Sequence, residues 1–412
     1  MNKVVKKKFR QHLSKIFILI ITCFLILKTN FVFASEVFTS NTSTDDVSKT
    51  TEEVTNNITE STRKTYNLDE YIDTINNSVN ENLGQEIDFK NIANELLNKN
   101  DINHKNLFTK LLEIFVSEVS SAIKGTVTIF IIVIIMAILS NLELDNKSDI
   151  TRIAHLACFI VIATITVTTF VQTVNMLKTT INTMGTLMQV ISPFLLSVLI
   201  ATGKISTTGI IQPLLLFLAS SVGFIVTYFV IPLLSISVAF NVICSISENI
   251  RLEKLSKFFS NVSLWTIGVV LTVFLGVLSL ETSLSSSVDS LSVKTTQAAV
   301  SNFVPVVGKF FSDSFEVVVG ATKIIGKTGG IIGILGIVIV GIIPIFKITS
   351  IMVIYMLLAA FVEMITTDKL ILKYLSGFVN VYKTMLGILI GVVILFVIST
   401  GIILNLVNSI VT

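Results

Sequence analysis

The chain has 412 residues, of which 52% are apolar and 14% are charged, and its mean hydropathy is +0.84. A soluble domain carries about 25% charged residues, so these values exclude a surface that faces water all round. Lipid accepts apolar side chains but no unpaired backbone group, which leaves helices or a closed barrel. Because the apolar stretches are continuous rather than alternating, the composition predicts an all-α polytopic integral membrane protein and not a soluble enzyme.

The net charge of +3 is unevenly distributed along the chain. Residues 35–124 contain 16 acidic and 8 basic side chains, whereas the first 34 residues contain 7 basic ones. No basic surface interleaved with aromatic residues stands out, so nucleic acid is not an expected partner. Cys23, Cys158 and Cys244 have no CxxC neighbours and the histidines have no ligand spacing, so we expect no metal site and no cofactor.

The first 34 residues have the pattern of an export signal. The apolar run Ile16–Leu27 follows six basic residues and is short for a crossing that takes about 20 residues. The small residues Val32 and Ala34 then precede Ser35 at the spacing typical of a cleaved signal peptide. An uncleaved anchor helix is the alternative, and both interpretations place the following residues outside the cytoplasm.

The next two segments differ sharply in composition. Residues 35–65 are rich in Ser, Thr, Asn and acidic side chains, which predicts a disordered polar linker. Residues 66–124 form an acidic region in which apolar side chains recur at helical spacing. The first such set is Leu68, Tyr71, Ile72, Ile75 and Val79. We expect short amphipathic helices, broken at Gly84 and 100–103, that form a small extracytoplasmic region, marginally stable unless a partner covers their apolar faces.

The membrane region is predicted to hold eight or nine transmembrane helices, with helices 1–6 in residues 125–281 and helices 7–9 in residues 330–412. The spans are Gly125–Leu142, Ile153–Met176, Thr186–Ala201, Ile210–Phe229, Val230–Ser247, Val262–Leu280, Gly330–Phe346, Ile351–Met364 and Leu386–Leu406. Val230–Ser247 is the span on which the two counts differ. Placing the basic stretch 249–257 in the cytoplasm favours nine helices and a cytoplasmic C-terminus. On that count, Lys178 and the loop 368–373 lie outside the cytoplasm.

Segment 282–329 is less apolar than the spans on either side of it. Two apolar blocks alternate there with glycines and charges, and Lys309 and Asp313 form an i,i+4 pair. We expect amphipathic helices at the outer membrane interface or a re-entrant hairpin. The residues expected to line a conduit or dock a partner are Phe303, Pro305, Lys309, Asp313 and Glu316. A helix pair that serves packing alone is the alternative.

A few polar residues and glycines lie inside apolar runs. Glu363 is the best embedded carboxylate, and it belongs either to a proton or ion path or to the interface, where it reaches lipid headgroups. The amides expected to hydrogen-bond between helices are Gln172, Gln189, Gln212 and Asn241. Gly330, Gly333 and Gly336 should let helices approach closely. The stretch Gly320–Thr328 resembles a phosphate loop but has five residues between its glycines instead of four, which excludes nucleotide binding.

Proline- and glycine-containing motifs recur along the apolar part of the chain. The first group lies in residues 301–347: SNFVPVVG at Ser301–Gly308, then Ser312-Asp313, Gly320, a glycine-rich span and IPIFK at Ile343–Lys347. The second group lies earlier in the chain, at Ile191–Pro193 and Gln212–Leu215. Together with the export signal, the acidic helical region and the clustered spans, these motifs resemble the stage III sporulation protein AE family over residues 66–412.

That resemblance implies a non-enzymatic subunit of the engulfment-stage channel complex between mother cell and forespore. It implies a multi-pass protein of the outer forespore membrane, which derives from the mother cell. The implied partners are the other proteins of the stage III sporulation A operon, including a cytoplasmic ATPase and ring-forming membrane-anchored proteins. The family supplies no catalytic, metal-binding or cofactor-binding residue that could be assigned to this chain.

Two other functions remain open on the residues alone. A stand-alone permease for a small solute would work without partners and would depend on Glu363. A membrane scaffold without a conduit would keep segment 282–329 away from water.

Overall fold

The computed structural model describes residues 58–83, 89–97, 104–142, 149–246, 252–303, 307–365 and 369–408. The predicted signal peptide, all of the linker before residue 58, and Pro305 lie outside these ranges. Within them every regular element is helical, which confirms the predicted all-α class.

Nine α-helices follow a short helical segment at 58–65. They are α1 (Leu68–Leu83), α2 (Phe89–Leu97), α3 (His104–Leu142), α4 (Asp149–Ala201), α5 (Ile205–Ile225), α6 (Ile231–Cys244), α7 (Glu253–Phe303), α8 (Val307–Ile365) and α9 (Lys369–Asn408). A π-helix, Val226–Val230, joins α5 to α6 without a break. The amphipathic helices predicted for residues 66–124 are present as α1, α2 and the start of α3.

Six helices in the described part of the chain are long and apolar enough to cross a membrane, and several are longer than one crossing needs. The apolar part of α4 has 46 residues, about 69 Å of helix, against a hydrocarbon core of about 30 Å. The predicted spans Ile153–Met176 and Thr186–Ala201 are therefore parts of one helix. The same holds for the two predicted spans within α8. The counts of eight and nine crossings are not confirmed.

The π-helix removes another predicted boundary. The nine-helix count places a break between Phe229 and Val230, but the helix continues there. Pro232 lies in the first turn of α6, directly after the π-helix. Proline lacks a backbone N–H and usually breaks a helix. Here the preceding turn is a π-helix, whose hydrogen bonds span five residues instead of four, so the helix continues through the position of the missing N–H.

One salt bridge corrects the predicted orientation of the loops. The Lys373 Nζ atom of α9 lies 2.8 Å from the Glu253 Oε1 atom of α7. Residues this close lie at the same end of the helices, so 249–257 and 368–373 cannot be on opposite sides of a bilayer. The prediction that separated them is wrong, because it divided the continuous helix α8 into two crossings.

The turn between α4 and α5 is a Schellman motif. The Gly203 N–H donates to the Ile200 carbonyl at 2.9 Å, and the Lys204 N–H donates to the Leu199 carbonyl at 3.1 Å. Gly203 has a φ of 87°, which glycine adopts without strain. The turn aims Lys204 inward, where its buried Nζ atom donates to the Leu406 carbonyl at 2.8 Å in the last turn of α9.

The core lies where α4, α8 and α9 pack together. More than half of the apolar part of α9 is buried, against about a fifth of those of α3 and α7. The large, fully buried side chains of α9 are Tyr374, Phe378, Tyr382 and Phe396. Helix α9 is thus the central helix of the described structure, and the outward faces of α3 and α7 remain apolar and exposed.

Candidate functional site: a glycine ridge and a hydroxyl column

The apolar face of α1 packs on α8 and α4. The five apolar residues that the sequence places on this face are all 6% exposed or less. They are Leu68, Tyr71, Ile72, Ile75 and Val79. The partner that the sequence predicted for this face is therefore supplied by the same chain.

Tyr71 makes the most specific contact of α1. Its hydroxyl donates to the Gly329 carbonyl at 2.9 Å, although a helix carbonyl normally accepts only from within its own helix. Its ring stacks on Phe194 of α4, with centroids 4.1 Å apart and planes 14° apart. Burial raises the pKa of the Tyr71 hydroxyl, so it stays protonated and able to donate at neutral pH.

Glycines on α8 create close contacts with α1, α4 and α9. We call Gly326, Gly329, Gly330, Gly333, Gly336 and Gly341 the glycine ridge. A Cβ atom on Gly329 would overlap the Phe194 ring, and one on Gly333 would lie 2.9 Å from the Tyr71 hydroxyl. A Cβ on Gly336 would lie 3.1 Å from Ile75 Cγ2. The prediction that these glycines permit close approach is confirmed, and the approaching elements include α1.

Ion pairs at the surface lie along the first two turns of α1. The Arg63 Nε atom donates to the Asp69 Oδ2 atom at 3.1 Å, and this hydrogen bond lowers the pKa of the Asp69 carboxyl. Lys90 of α2 lies 2.8 Å from Asp73 of α1. All four side chains are partly exposed, so the pairs orient the helices while the buried apolar face supplies most of the stability.

A second contact surface lies further along the same helices, toward the α8–α9 turn. It consists of hydroxyl side chains and we call it the hydroxyl column. Its members are Thr166, Thr169 and Thr173 of α4, Tyr355 of α8, and Tyr374 and Tyr382 of α9. The Thr166 hydroxyl bonds to the Tyr374 hydroxyl, and Thr169 interacts with the Tyr355 side chain. The threonines are spaced so that they line one face of α4.

Tyr382 is the exception within the column. Its hydroxyl interacts with Thr173 but is buried without a partner at hydrogen-bonding geometry among the described residues. Its ring packs against Tyr355 at a centroid distance of 5.6 Å. The column thus consists of neutral groups that join helices, with one hydroxyl not fully satisfied.

Neighbouring polar contacts extend the column toward α6 and α7. The Asn241 Nδ2 atom donates to the Tyr374 carbonyl at 3.1 Å, and a Cβ on Gly377 would overlap the Asn241 side chain. Ser260 and Thr384 hydroxyls lie 2.6 Å apart. The Leu252 N–H donates to the Cys244 sulfur at 3.1 Å. The interhelical role predicted for Asn241 is confirmed, whereas Gln172, Gln189 and Gln212 are exposed, so that prediction is wrong for them.

The residues predicted to line a conduit lie at the end of α7 and the start of α8, on either side of the turn that joins them. Phe303 ends α7, while Lys309, Asp313 and Glu316 lie in the first three turns of α8. Pro305 lies outside the described residues. Glu363 is exposed near the end of α8, as the interfacial interpretation expects. Segment 282–329 is not a separate element, since it consists of the end of α7 and the start of α8.

Sequence reasoning missed the hydroxyl column and Lys204. A threonine spacing of three and four residues on α4 was the available signal, together with tyrosines eight residues apart on α9. Neither signal identifies the partner helix, so the column could be assembled only from the packing. Lys204 was not singled out either, although a lysine just after a helix-ending glycine is well placed to meet carbonyl groups.

These observations define a polytopic helical membrane protein in which several buried polar groups of the described residues hydrogen-bond between helices. The sequence model of the family described as Stage III sporulation protein AE (spore_III_AE) matches residues 87–406. The chain therefore belongs to the stage III sporulation protein AE family, as the motifs predicted.

The chain is also similar to Stage III sporulation protein AE of Bacillus subtilis (strain 168). The two are 26% identical over 237 residues, which is 57% of this chain and 59% of the Bacillus protein. The match thus spans about three fifths of the length of that relative. No solved structure matches the chain.

Proposed function

We propose that the chain is a non-enzymatic membrane subunit of a transport or secretion channel that links mother cell and forespore and is needed for forespore development. Membership of a sporulation family supports the setting, and the six membrane-length helices support a multi-pass location. The proposed membrane is the outer forespore membrane. The proposed partners are the other products of the stage III sporulation A operon, including its cytoplasmic ATPase and its ring-forming membrane-anchored proteins.

The observation that carries the proposal is the extension of α7 and α8 past the end of α9. Gly326 of α8 packs against Val407, one residue before α9 ends. Residues 307–325 of α8, about 28 Å of helix, therefore continue beyond that level. A helix pair of this length, semi-polar in sequence, supports a role in docking ring-forming partners or in lining a passage.

The distribution of basic residues supports an orientation for the channel subunit. Lys254 and Lys257 lie near the start of α7, and Lys369 and Lys373 near the start of α9, at one end of the helices. Basic residues accumulate on the cytoplasmic side of membrane proteins. We place that end in the cytoplasm, which puts α1, the α7–α8 turn and the end of α9 outside it, as a cleaved signal peptide requires.

Cysteine accessibility across residues 282–329 in sporulating cells tests the proposal. The background carries Cys158→Ser and Cys244→Ser, and serine at 244 keeps an acceptor for the Leu252 N–H. Val318 is 49% exposed and Ala321 is 3% exposed, so a membrane-impermeant thiol reagent should label Val318→Cys and spare Ala321→Cys. This pair calibrates the scan on helix α8 itself.

A conduit or docking element predicts labelling of 282–317 with a helical period of 3.6 residues. Protection throughout that range, with Val318→Cys still labelled, would contradict the proposal and favour a scaffold without a conduit. Insertion of a charged pair between Val306 and Val307 should lower the yield of heat-resistant spores far more than the same insertion between Ser43 and Thr44. Equal tolerance at both positions would remove the case for this helix pair.

A further inference from the structure

A polar face runs along the second half of α4, within the part of that helix that is apolar enough to cross a membrane. Between residues 172 and 189 every exposed side chain of α4 is polar, whereas between 153 and 171 most exposed side chains are apolar. The exposed polar residues recur every three or four positions, so they lie on one side of the helix. We call the following six residues the polar face: Gln172, Asn175, Lys178, Asn182, Thr186 and Gln189.

The polar surface continues onto the neighbouring helix α5. A Cβ atom on Gly223 would lie 2.9 Å from the Asn182 Oδ1 atom, so this side of α5 packs directly beside the polar face. The exposed residues Ser220 and Gln212 lie three and eleven positions before Gly223, which is about one and about three helical turns. They therefore share its side of α5. The α4–α5 hairpin thus presents one polar surface built from both helices.

The polar face lies at the same depth in the molecule as an exposed apolar face of α7. A Cβ atom on Gly185 of α4 would lie 3.0 Å from the Ala219 carbonyl oxygen of α5. Two residues earlier on α5, the Phe217 ring stacks on Phe274 of α7, with centroids 6.4 Å apart. Val273, which precedes Phe274, is 58% exposed and belongs to a membrane-length apolar helix. At one depth, therefore, α7 offers lipid an apolar surface while α4 offers a polar one.

The residue types of the polar face indicate that water covers it. Amide and hydroxyl side chains lose hydrogen bonds to water when they face hydrocarbon, which disfavours lipid. Lys178 is exposed midway along the 46-residue apolar part of α4. A symmetric dry contact between two copies would bring their Lys178 ammonium groups together at one depth, and like charges repel strongly where water is excluded. Water between the copies avoids both costs.

The charge of this surface has one sign. The sequence from residue 151 to residue 247 contains no Asp or Glu, so no carboxylate of α4 or α5 offsets Lys178 in this region. Rings of lysine side chains in pores attract anions and repel cations. Because a single chain leaves the polar face open on one side, several copies are needed to enclose water beside it.

We propose that copies of this chain surround a water-filled passage lined by the polar face of α4, and that Lys178 makes this passage favour small anions over cations. The inference rests on the proposed channel function and adds the lining of the passage and the class of solute. It concerns other residues than the α7–α8 pair, so the two proposals can fail separately.

Cysteine labelling of the full chain in the membranes of sporulating cells tests whether water reaches the polar face. The test positions are Asn175→Cys, Thr186→Cys and Gln189→Cys, in the same background with serine at both native cysteines of the apolar region. Val269→Cys and Val273→Cys on α7 are the matched controls, because both valines are more than half exposed. A membrane-impermeant thiol reagent should modify the test positions at least tenfold faster than the controls, since a thiol ionises and reacts in water but not in lipid.

Two thiol reagents of opposite charge test the role of Lys178. They are 2-sulfonatoethyl methanethiosulfonate, an anion, and 2-(trimethylammonio)ethyl methanethiosulfonate, a cation. At Asn175→Cys, about 4.5 Å from Lys178 along the helix, Lys178→Gln should lower the ratio of anion rate to cation rate about fivefold. Lys178→Arg should preserve the ratio. At Gln189→Cys, about 17 Å away and beyond the screening length of about 8 Å, Lys178→Gln should leave it unchanged.

Three results would overturn this inference. Equal reaction rates on α4 and α7 would show that both faces meet the same medium. An unchanged ratio at Asn175→Cys in Lys178→Gln would remove the preference for anions. Protection of all three test positions would exclude the passage, and oxidation of Gln189→Cys to a disulfide between two chains would then identify a dry contact between copies. If the polar face is protected while residues 282–317 are labelled, the channel proposal stands and this inference fails.

Discussion

The glycine ridge and the hydroxyl column join the same three helices, α4, α8 and α9, in two different ways. At the ridge, missing side chains let rings and helices come close, so the contact depends on shape. In the column, hydroxyl side chains of different helices meet and Thr166 bonds to Tyr374, so the contact depends on complementary partners. A close-packed surface tolerates no added atom, whereas a polar surface tolerates no lost partner.

This difference sets the order of mutational effects. Adding atoms to a packed interface costs about 1–3 kcal/mol, whereas a single neutral hydrogen bond contributes about 0.5–1.5 kcal/mol. The two surfaces should therefore respond to opposite kinds of substitution, with larger effects at the ridge.

The largest effect is expected for Gly329→Ala. The added Cβ overlaps the Phe194 ring, which is itself stacked on Tyr71, so relief of the overlap also displaces α1. We expect a loss of about 2–3 kcal/mol, measured as a lower unfolding temperature of the purified protein. Gly320→Ala is the control on the same helix, because nothing lies within 4 Å of its Cβ, and it should be neutral or slightly stabilising.

The double variant Gly329→Ala, Phe194→Leu sharpens this test. A smaller side chain at 194 removes the overlapping ring, so part of the lost stability should return. If the double variant loses as much stability as the two single variants lose together, or more, the close approach of Phe194 to Gly329 is not the cause.

Lys204→Met should have the next largest effect. Its buried ammonium group donates to the Leu406 carbonyl, and hydrogen bonds from charged groups contribute about 1.5–3 kcal/mol. Methionine keeps the length and the apolar stem, so it isolates the charge. We expect a loss of about 2 kcal/mol, together with faster hydrogen exchange in the last turn of α9. Unchanged exchange there would contradict the proposed clamp between the α4–α5 turn and α9.

Thr166→Val should cost about 1 kcal/mol. Valine keeps the shape and removes the hydroxyl that bonds to Tyr374, leaving a buried hydroxyl without that partner. Thr164→Val on the same helix is the matched control, because Thr164 is exposed and its hydroxyl bonds only to the Ile160 carbonyl. Equal effects of the two substitutions on unfolding temperature would mean that the column contributes nothing measurable.

Asp69→Asn should have the smallest effect, below about 1 kcal/mol, because the pair with Arg63 is partly exposed. The hydrogen bond from Arg63 lowers the pKa of Asp69, so its contribution is present above the unfolded value near 3.9 and is lost as the pH falls through the folded pKa. The wild type and the variant should differ in unfolding temperature at pH 7, and the difference should shrink as the pH falls below the unfolded value and through the lowered folded pKa. A difference that stays constant over this range would exclude the pair as the cause.

The helical class, the membrane setting and three glycines of the ridge, Gly330, Gly333 and Gly336, could be predicted from the sequence. Composition and continuous apolar runs determine the first two, and a glycine spacing of three residues marks a close-approach surface. The face of α1 was also predictable, because its apolar residues recur at helical spacing. The sequence could not show that α8 covers that face, since periodicity identifies a buried face but not its partner.

The boundaries of the helices were not predictable in the same way. Short polar stretches such as 177–185 were interpreted as loops, yet residues of that kind continue as helix when neighbours satisfy them. The same kind of error divided α8 into two crossings and so placed the α8–α9 turn on the wrong side of the membrane. The Glu253–Lys373 salt bridge corrected that placement. The hydroxyl column required three-dimensional packing, because its threonines and tyrosines come from helices about 200 residues apart.

The docking of α1 on the glycine ridge can be tested most directly by a disulfide between Ile75→Cys and Gly336→Cys in a background without other cysteines. The Cβ position of Gly336 lies 3.1 Å from the Ile75 side chain, so oxidation in membranes should form the bond within one chain in high yield. Ile75→Cys paired with Gly320→Cys, about 24 Å further along α8, should not react. No bond in the first pair, or a bond only between two chains, would contradict the docking of α1 on its own glycine ridge.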